Sequence, residues 1–442
     1  MQFKLPTTAT APFCPSEVQG SVAVSSSAPF WKKLLQFAGP GLLVSIGYMD
    51  PGNWATDIEA GSRYGYSLLF VVVLSSLSAM VLQCLSMRLG IVTGRNLAEL
   101  SRTRYSPGVA RIQWLLAELS IVACDLAEVL GGALAFHLLF KCSLTIGVIL
   151  TAFDTLIVLG LKGKNFRDLE AIMLALIATI GVGYVIQLAL VKPHWPSVIA
   201  GLAPSWRALG GREPLYLAIG ILGATVMPHN LYLHSSVVQT RAVKRDREGL
   251  AGAISLSRLD TIVALFLALL INAAILILAG AAFHSTGHTA VTEIEDAYRL
   301  LAPIVGTGFA AVLFAITLLA SGQSSTFTGT VAGQVIMEGF LQLKIPCYQR
   351  RFITRALALI PALVGVQMLG NGAVGQLLVA SQVVLSLQLP FALYPLIRMT
   401  DDRALMGEFV NRLPTRIVAW ALFVVISAAN LWLVVQTFGL AG

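Results

Sequence analysis

The sequence reads DPGN at Asp50–Asn53 and MPHN at Met227–Asn230, and each stretch lies inside a long apolar segment. Proline removes a backbone donor and clashes with the preceding turn, while glycine and asparagine tolerate non-helical backbone. We therefore predict that both helices unwind at these residues. Inside a membrane, unwound backbone is stable only where it faces protein or a water-filled cavity. The two interruptions therefore indicate a site enclosed by protein.

The composition is typical of a polytopic membrane protein. Of the 442 residues, 56% are hydrophobic and 12% are charged, whereas about 25% of the residues of a soluble protein are charged. Apolar runs separated by charged or Pro/Gly-rich breaks predict eleven membrane-spanning helices. They lie at 38–63, 66–92, 112–139, 144–161, 169–190, 215–240, 254–283, 306–340, 352–369, 373–397 and 414–438.

The two interruptions fall in the first and sixth of these spans, five helices apart. This spacing is typical of two five-helix repeats of opposite topology, whose broken helices meet near the bilayer midplane to form the binding site. We predict an all-α transporter domain over 35–440, with repeats at about 38–190 and 215–397 and an extra helix at about 414–438. Residues 1–34 are rich in Ser, Thr, Ala and Pro and are predicted to be a disordered cytoplasmic tail.

Basic residues concentrate in the loops that follow the even-numbered spans, and Lys32 and Lys33 precede the first span. By the positive-inside rule, the N-terminus is cytoplasmic and the C-terminus lies outside a bacterial-type inner membrane. The basic residues behind the formal net charge of +8 cluster in these loops, where they set orientation, so the charge implies no nucleic-acid partner. These loops carry Arg95, Arg102, Arg104 and Arg111; Lys162, Lys164 and Arg167; Arg241, Lys244, Arg245 and Arg247; Lys344, Arg350 and Arg351; and Arg398, Arg403 and Arg412.

The sequence contains none of the motifs for ATP hydrolysis or for common hydrolytic catalysis. It has no Gly-x-x-x-x-Gly-Lys-Ser/Thr loop, no His-Glu-x-x-His pair and no nucleophile elbow. Its five cysteines are scattered without a CxxC pair and are interpreted as packing residues. We expect a protein that is not an enzyme, has no resident cofactor and takes energy from an ion gradient.

The interruptions offer a carboxylate, an amide oxygen, a thioether and freed backbone carbonyls, from Asp50, Asn53, Met227 and their neighbours. A carboxylate in mid-membrane costs about 2.5 to 3.5 kcal/mol, which favours a functional role for Asp50 over a structural one. Oxygen ligands with one soft sulfur fit Mn²⁺, Fe²⁺, Co²⁺ or Cd²⁺, whereas Ca²⁺ and Mg²⁺ prefer oxygen alone. Met227 could instead only fill space, as most membrane methionines do. Gln382 in the tenth span could reach the ion or bond to a neighbouring helix.

The third span carries three carboxylates at intervals of seven and three residues, Glu118, Asp125 and Glu128. At 3.6 residues per turn they share one face of the helix. They are interpreted as a proton relay, or else as partners of the basic residues Arg350 and Arg351. Two histidines, His229 and His234, lie in and after the second interruption; each could pass protons on from Asp50 or be a hydrogen-bonded packing residue.

Two signatures resemble the Nramp (natural resistance-associated macrophage protein) metal transporters, in particular bacterial proton-coupled manganese transporters. They are YMDPGNWAT at Tyr48–Thr56 and ATVMPHN at Ala224–Asn230, and the resemblance extends over about residues 35–438. It implies the LeuT-type fold, with helices 1–5 and 6–10 as inverted repeats and helices 1 and 6 unwound at the midplane.

The resemblance also implies a set of functional residues. Metal is expected on Asp50, Asn53, Met227 and the carbonyl of Ala224, with Gln382 approaching in some states. Many relatives have Ala at the position of Gly47, whose carbonyl also serves the metal, and that carbonyl is retained here. Met227 favours Mn²⁺ and Fe²⁺ over magnesium or aluminium. The implied proton route comprises His229, Asp50, Glu128, Asp125, Arg351 and Arg350, with Glu118 and His234 beside it.

Three functions remain open at this level. The first is a monomeric importer of divalent transition metal ions with proton symport by alternating access, whose other partner is membrane lipid. The second is a sodium-coupled transporter of amino acids or other organic solutes with the same fold. The third is a membrane sensor or structural subunit that binds metal without net flux.

Overall fold

The computed structural model describes residues 19–24, 29–152, 166–342, 347–369 and 374–437. Almost all regular structure in these residues is helical. In chain order the helices are α1 (Phe30–Phe37), α2 (Pro40–Gly47), α3 (Pro51–Tyr64), α4 (Leu69–Thr93), α5 (Leu97–Arg104), α6 (Pro107–Phe140), α7 (Leu144–Ala152), α8 (Phe166–Val191), α9 (Trp195–Gly201), α10 (Arg212–Val226), α11 (Pro228–Val237), α12 (Arg247–Ala282), α13 (Ile294–Val305), α14 (Gly308–Leu341), α15 (Cys347–Leu369), α16 (Val374–Thr400), α17 (Arg403–Met406) and α18 (Leu413–Thr437).

Each of the eleven predicted spans contains helical residues within the described ranges. Within the described ranges, seven helices are each long and apolar enough to cross a membrane, namely α4, α6, α8, α12, α14, α16 and α18. The ninth span is α15, whose apolar part, Ala356–Met368, is shorter. The fourth is described only as far as Ala152, where α7 stops. The first and sixth spans are each divided into two shorter helices, α2 and α3 and then α10 and α11.

The first division separates Gly47, the last residue of α2, from Pro51, the first residue of α3. Asp50 has extended backbone and caps α3, because its side chain accepts a hydrogen bond from the backbone N–H of Asn53. Proline suits the first helical position, where no backbone donor is needed. The carbonyls of Tyr48 and Met49 that this break frees accept hydrogen bonds from Asn272 and Ser321, on α12 and α14. Protein therefore satisfies the unwound backbone.

The second division is a single residue, Met227, between α10 and α11. Its φ of 40° and ψ of 99° lie in a region that residues with a β-carbon rarely adopt, at a cost of about 1–3 kcal/mol. Pro228 cannot donate a backbone hydrogen bond, so the helix restarts there rather than running on. The strain is held in place because every residue of α11 is buried.

The divided helices lie inside the bundle and are surrounded by the long ones. α6 packs on α14 and α16, α12 packs on α3 and α4, and α10 packs on α16. Gly131 of α6 lets this helix approach the break closely, since a β-carbon there would overlap the ring of Pro51. The two breaks therefore lie within the core of the helix bundle.

The N-terminal end of α2 is tied to three other parts of the chain. Asp260 of α12 accepts hydrogen bonds from the backbone N–H groups of Gly39 and Gly41, at 3.2 and 2.7 Å. Arg241, which follows α11, is 2.7 Å from Glu170 of α8 and also donates to the carbonyl of Ala38 at 2.6 Å. These buried contacts fix α2 at the end opposite to the break.

Part of the segment that the sequence analysis treats as a disordered tail has regular contacts. The backbone N–H groups of Gly20 and Val22 donate to the carbonyls of Gln239 and Thr240, at 2.9 and 3.0 Å. Backbone pairing does not depend on side-chain type, which is why composition alone does not reveal it. Residues 30–34 belong to α1, whereas residues 1–18 and 25–28 lie outside the described ranges.

Candidate metal site

Asp50 lies at the centre of the site and is completely buried. Its Oδ1 accepts hydrogen bonds from the backbone N–H and the side-chain amide of Asn53, at 2.9 and 2.7 Å. Its Oδ2 has no hydrogen-bond partner among the described residues. A buried carboxylate oxygen left without a partner is costly, so this atom is the natural place for a cation or an ordered water.

Asn53 joins the two breaks. Besides its bond to Asp50, its side-chain nitrogen donates to the carbonyl of Ala224 on α10, at 3.0 Å. The amide N–H group thus lies between two of the oxygens that the resemblance assigns to the metal. A rotation of the Asn53 amide by about 180° would place its Oδ1 where its nitrogen lies. Asp50, Ala224 and Asn53 would then present three oxygens at one point.

The side-chain amide of Asn230 contacts both Met227 and Gly47. The side chain of Met227 is completely buried, and the Asn230 amide donates to its sulfur at 3.4 Å. The same amide nitrogen lies against Gly47, where any β-carbon would collide with it. A bulkier residue at position 47 would push Asn230 away from the thioether, which gives Gly47 a steric role in addition to its carbonyl.

Gln382 of α16 also reaches the first break. Its amide nitrogen occupies the space where a β-carbon on Gly52 would be, and the same point is 2.9 Å from Asp50 Oδ2. The amide donates to Ser381 at 3.0 Å, and its Oε1 has no hydrogen-bond partner in the described part of the chain. The structure therefore brings α3, α10 and α16 together around Asp50, while Asn230 of α11 joins Met227 to Gly47.

A second group of side chains connects the site to α6. Cys124 Sγ is 3.4 Å from Glu128 Oε1 and 3.7 Å from His229 Nε2. Asp125 and Glu128 both lie against Gly329 of α14, which leaves room for two carboxyl groups. Asp125 and Glu128 therefore lie on one side of α6, as the helix periodicity predicts, and Cys124 connects Glu128 to His229 of α11, which periodicity does not place. The sequence analysis assigned Cys124 to packing; its place four residues before Glu128, on the same face, is the signal for this contact.

The other predicted proton-route residues lie apart from this group or outside the description. Glu118 is on α6 but is partly exposed. His234 is bonded at both ring nitrogens, to Gln83 at 3.0 Å and to Thr261 at 3.4 Å, which ties α11 to α4 and α12. Arg350 and Arg351 lie at the start of α15, and their side chains are outside the described residues.

A further buried polar group, which we did not predict from the sequence, lies along α3. Asp57 is seven residues after Asp50, two turns along the same face, and is 1% exposed. Its Oδ2, the hydroxyl of Tyr184 and the side-chain amide of Gln187 have no hydrogen-bond partners among the described residues. Trp54 packs edge-on against Tyr184, with ring centroids 5.1 Å apart. The interval of seven was the signal that could have marked Asp57.

Comparison with known proteins identifies the family. The model of the natural resistance-associated macrophage protein-like (Nramp) family matches residues 41–436. This chain belongs to the Nramp family. It is 73% identical to the divalent metal cation transporter MntH of Ralstonia nicotianae, over 98% of each chain. It is 70% identical to the divalent metal cation transporter MntH 1 of Pseudomonas aeruginosa, over 99% of this chain and 100% of the relative.

Solved structures give the same result for the fold. A crystal structure of a variant of the Eremococcus coleocola manganese transporter superposes with a TM-score of 0.89 and 39% identity, over 97% of this chain and 93% of the other. Mhp1, a nucleobase-cation-symport-1 family transporter, has a TM-score of 0.61 at 15% identity and shares only the fold. The predicted family and the all-α LeuT-type fold are confirmed for this Nramp protein.

Proposed function

We propose that this Nramp protein imports divalent transition metal ions, Mn²⁺ and also Fe²⁺, into the cytoplasm by alternating access with proton symport. The observation that carries the proposal is the unpartnered Oδ2 of Asp50, buried where the breaks of the first and sixth spans meet. The relatives that are 73% and 70% identical are named divalent metal cation transporters, which supports the same substrate class.

The chemistry of the donors favours a transition metal. Asp50 supplies a charged oxygen and Ala224 a neutral one, and Asn53 and Gln382 would add neutral oxygens once their amide groups turn. Met227 adds a thioether, a soft ligand that contributes little to a hard cation such as Ca²⁺. An organic solute would instead need a break lined by small residues and free backbone, whereas this one presents a carboxylate and a sulfur.

Met227→Ala is expected to weaken the discrimination against Ca²⁺. We expect the variant to keep part of its Mn²⁺ uptake, because the oxygen ligands remain, and Ca²⁺ to compete at an about tenfold lower concentration than for the wild type. The measurement is Mn²⁺ uptake into proteoliposomes with increasing external Ca²⁺. Met87→Ala removes an equally buried thioether from α4, away from the site, and should leave the competition unchanged. Full discrimination by Met227→Ala would refute the ligand role.

Proton coupling is proposed to run through His229, Cys124, Glu128 and Asp125. The contacts of 3.4 and 3.7 Å at Cys124 connect a residue of the second break with the carboxylates of α6. Histidine and a buried carboxyl can each take up and release a proton near neutral pH. A proton accepted beside Asp50 therefore has a continuous set of titratable groups leading away from the metal.

Glu128→Gln is expected to remove the dependence of Mn²⁺ uptake on an inward acid gradient while leaving downhill Mn²⁺ flux. The amide keeps the size and hydrogen-bonding capacity of the carboxyl but cannot carry a proton. Uptake into sealed vesicles with and without the gradient, together with an internal pH dye, measures both fluxes. Glu118→Gln, two to three turns away and partly exposed, should retain more coupling. If the Glu128→Gln protein still acidifies the vesicle interior as it takes up Mn²⁺, the proposed proton route is wrong. If the wild type binds Mn²⁺ without net flux, the protein is not a transporter.

A further inference from the structure

A cavity of about 460 Å³ lies away from the candidate metal site, where α5, the end of α16, α17 and the start of α18 meet. Its charged lining comprises four arginines, Arg104, Arg398, Arg403 and Arg416, and two aspartates, Asp401 and Asp402. These arginines outnumber the acidic groups, so the cavity carries an excess of two positive charges. All of them belong to or adjoin loops that the positive-inside rule assigns to the cytoplasm.

Both aspartates are already engaged by protein groups. Asp401 Oδ2 is 3.2 Å from Arg416 Nε and accepts a hydrogen bond from the indole N–H of Trp420 at 2.9 Å. Asp402 pairs with Arg104. A hydrogen bond from the backbone N–H of Ala404, and then the charge of Arg104, hold the pKa of Asp402 below its usual range. The carboxylate of Asp402 therefore stays ionised and paired with Arg104 at neutral pH.

Two arginines remain without an acidic partner. Arg398, in the last turn of α16, and Arg403, at the start of α17, form no ion pair within the described ranges. Both side chains are exposed and line the same cavity. A guanidinium group presents a planar fork of donors that matches a phosphate oxygen pair. The cavity thus presents to an anion two guanidinium groups that have no acidic partner in the described ranges.

An apolar surface begins at the edge of this cavity. Phe391 and Tyr394 of α16 and Ile417 of α18 are exposed by 47%, 42% and 59%, and in a membrane such side chains contact acyl chains. Tyr394, which also lines the cavity, packs against Trp420 with ring centroids 6.1 Å apart. Tyrosine and tryptophan are enriched at the level of lipid headgroups. The cavity therefore combines a headgroup-level position, a cationic lining and a path for acyl chains.

We propose that this cavity binds the phosphodiester headgroup of an anionic phospholipid of the cytoplasmic leaflet, with Arg398 and Arg403 on the phosphate and the acyl chains along α16 and α18. Basic pockets between helices on the cytoplasmic side are known to recognise anionic headgroups. Inorganic phosphate would meet the same two guanidinium groups but would leave the adjoining apolar surface unused. The bound lipid would join α16, which carries Gln382, to α5 and α18.

The test is binding of defined lipids to the purified full-length protein in detergent, by native mass spectrometry and by the lipid-induced shift in unfolding temperature. We expect phosphatidylglycerol to bind and to raise the unfolding temperature, and phosphatidylcholine or inorganic phosphate to do so far less. The Arg398→Gln/Arg403→Gln double variant should bind phosphatidylglycerol about 30-fold more weakly. The Arg398→Lys/Arg403→Lys double variant keeps both positive charges but not the planar guanidinium groups. Its affinity for phosphatidylglycerol should lie between that of the wild type and that of the Arg398→Gln/Arg403→Gln variant.

The matched control is Lys192→Gln/Arg207→Gln, which removes two exposed positive charges in the loop after the fifth span, predicted to be on the opposite side of the membrane. It should bind phosphatidylglycerol as the wild type does. The proposal would be overturned if the Arg398→Gln/Arg403→Gln variant bound phosphatidylglycerol as the wild type does. It would also be overturned if the wild type bound phosphatidylcholine as tightly as phosphatidylglycerol. A full shift with inorganic phosphate alone would overturn it as well, by showing a small-anion site. None of these outcomes depends on metal transport.

Discussion

Asp50→Asn is expected to lower Mn²⁺ uptake by more than about 100-fold, since the removal of one partner from a buried charge pair costs about 3–5 kcal/mol. The change removes only the negative charge and keeps the size of the side chain. Asn53 and the N-terminus of α3 can still bond to the remaining carbonyl oxygen. We therefore expect the break to keep its shape while the cation loses its one anionic ligand.

Two measurements separate a lost ligand from a lost fold. Titration of the purified variant with Mn²⁺ should show no binding heat, while its unfolding temperature and elution volume match the wild type. Asp57→Asn makes the same substitution two turns along α3, where the described contacts include no bond to Asn53 or Ala224, and should reduce uptake far less. Equal losses in the two variants would mean that general negative charge, and not the position of Asp50, attracts the ion.

Gly223→Ala is expected to separate α10 from α16 and to lower uptake by roughly tenfold. A β-carbon at Gly223 would lie 2.6 Å from the β-carbon of Ser386 and 2.9 Å from its backbone nitrogen, and would also collide with the carbonyl of Gln382. Backbone atoms inside a helix cannot move aside as a side-chain tip can, so the whole contact must open. Gln382 and Ala224 would then move apart.

Gly220→Ala is the matched control one turn earlier on α10. A β-carbon there would have its nearest neighbours at 3.5 Å, on Thr56, and 3.9 Å, on Val379, which is ordinary van der Waals contact. We expect this variant to transport Mn²⁺ as the wild type does and to unfold at the same temperature or higher, because alanine favours helix over glycine. The pair fails as a test of close packing if both variants behave alike.

Local sequence rules predict much of this fold because they concern the backbone of a single segment. Apolar length places the spans, and proline within two residues of glycine or asparagine places the divisions at Gly47–Pro51 and at Met227. Helix periodicity likewise puts Asp125 and Glu128 on one face. Each of these inferences depends on residues that are near one another in the chain.

Contacts between distant segments are what the sequence could not supply. Asn272 and Ser321 satisfy the carbonyls of the first break from α12 and α14, and Asn230 bonds the sulfur of Met227 while it packs on Gly47. An amide or hydroxyl in an apolar helix could face any neighbour, and only the packing decides which one. The pairing of residues 20–22 with 239–240 is missed for the same reason.

The short helix α2 begins at the hydrogen bonds to Asp260 and the contacts of Arg241, and at its other end it continues into three non-helical residues. Polar contacts hold its first turn, and the buried side chains of Leu43, Val44 and Ile46 hold the rest of it by apolar packing. Outward movement of α2 would remove the carboxylate acceptor from the N–H groups of Gly39 and Gly41. Water can replace those two bonds but not the apolar contacts, so hydration offsets only the polar part of the cost of such a movement.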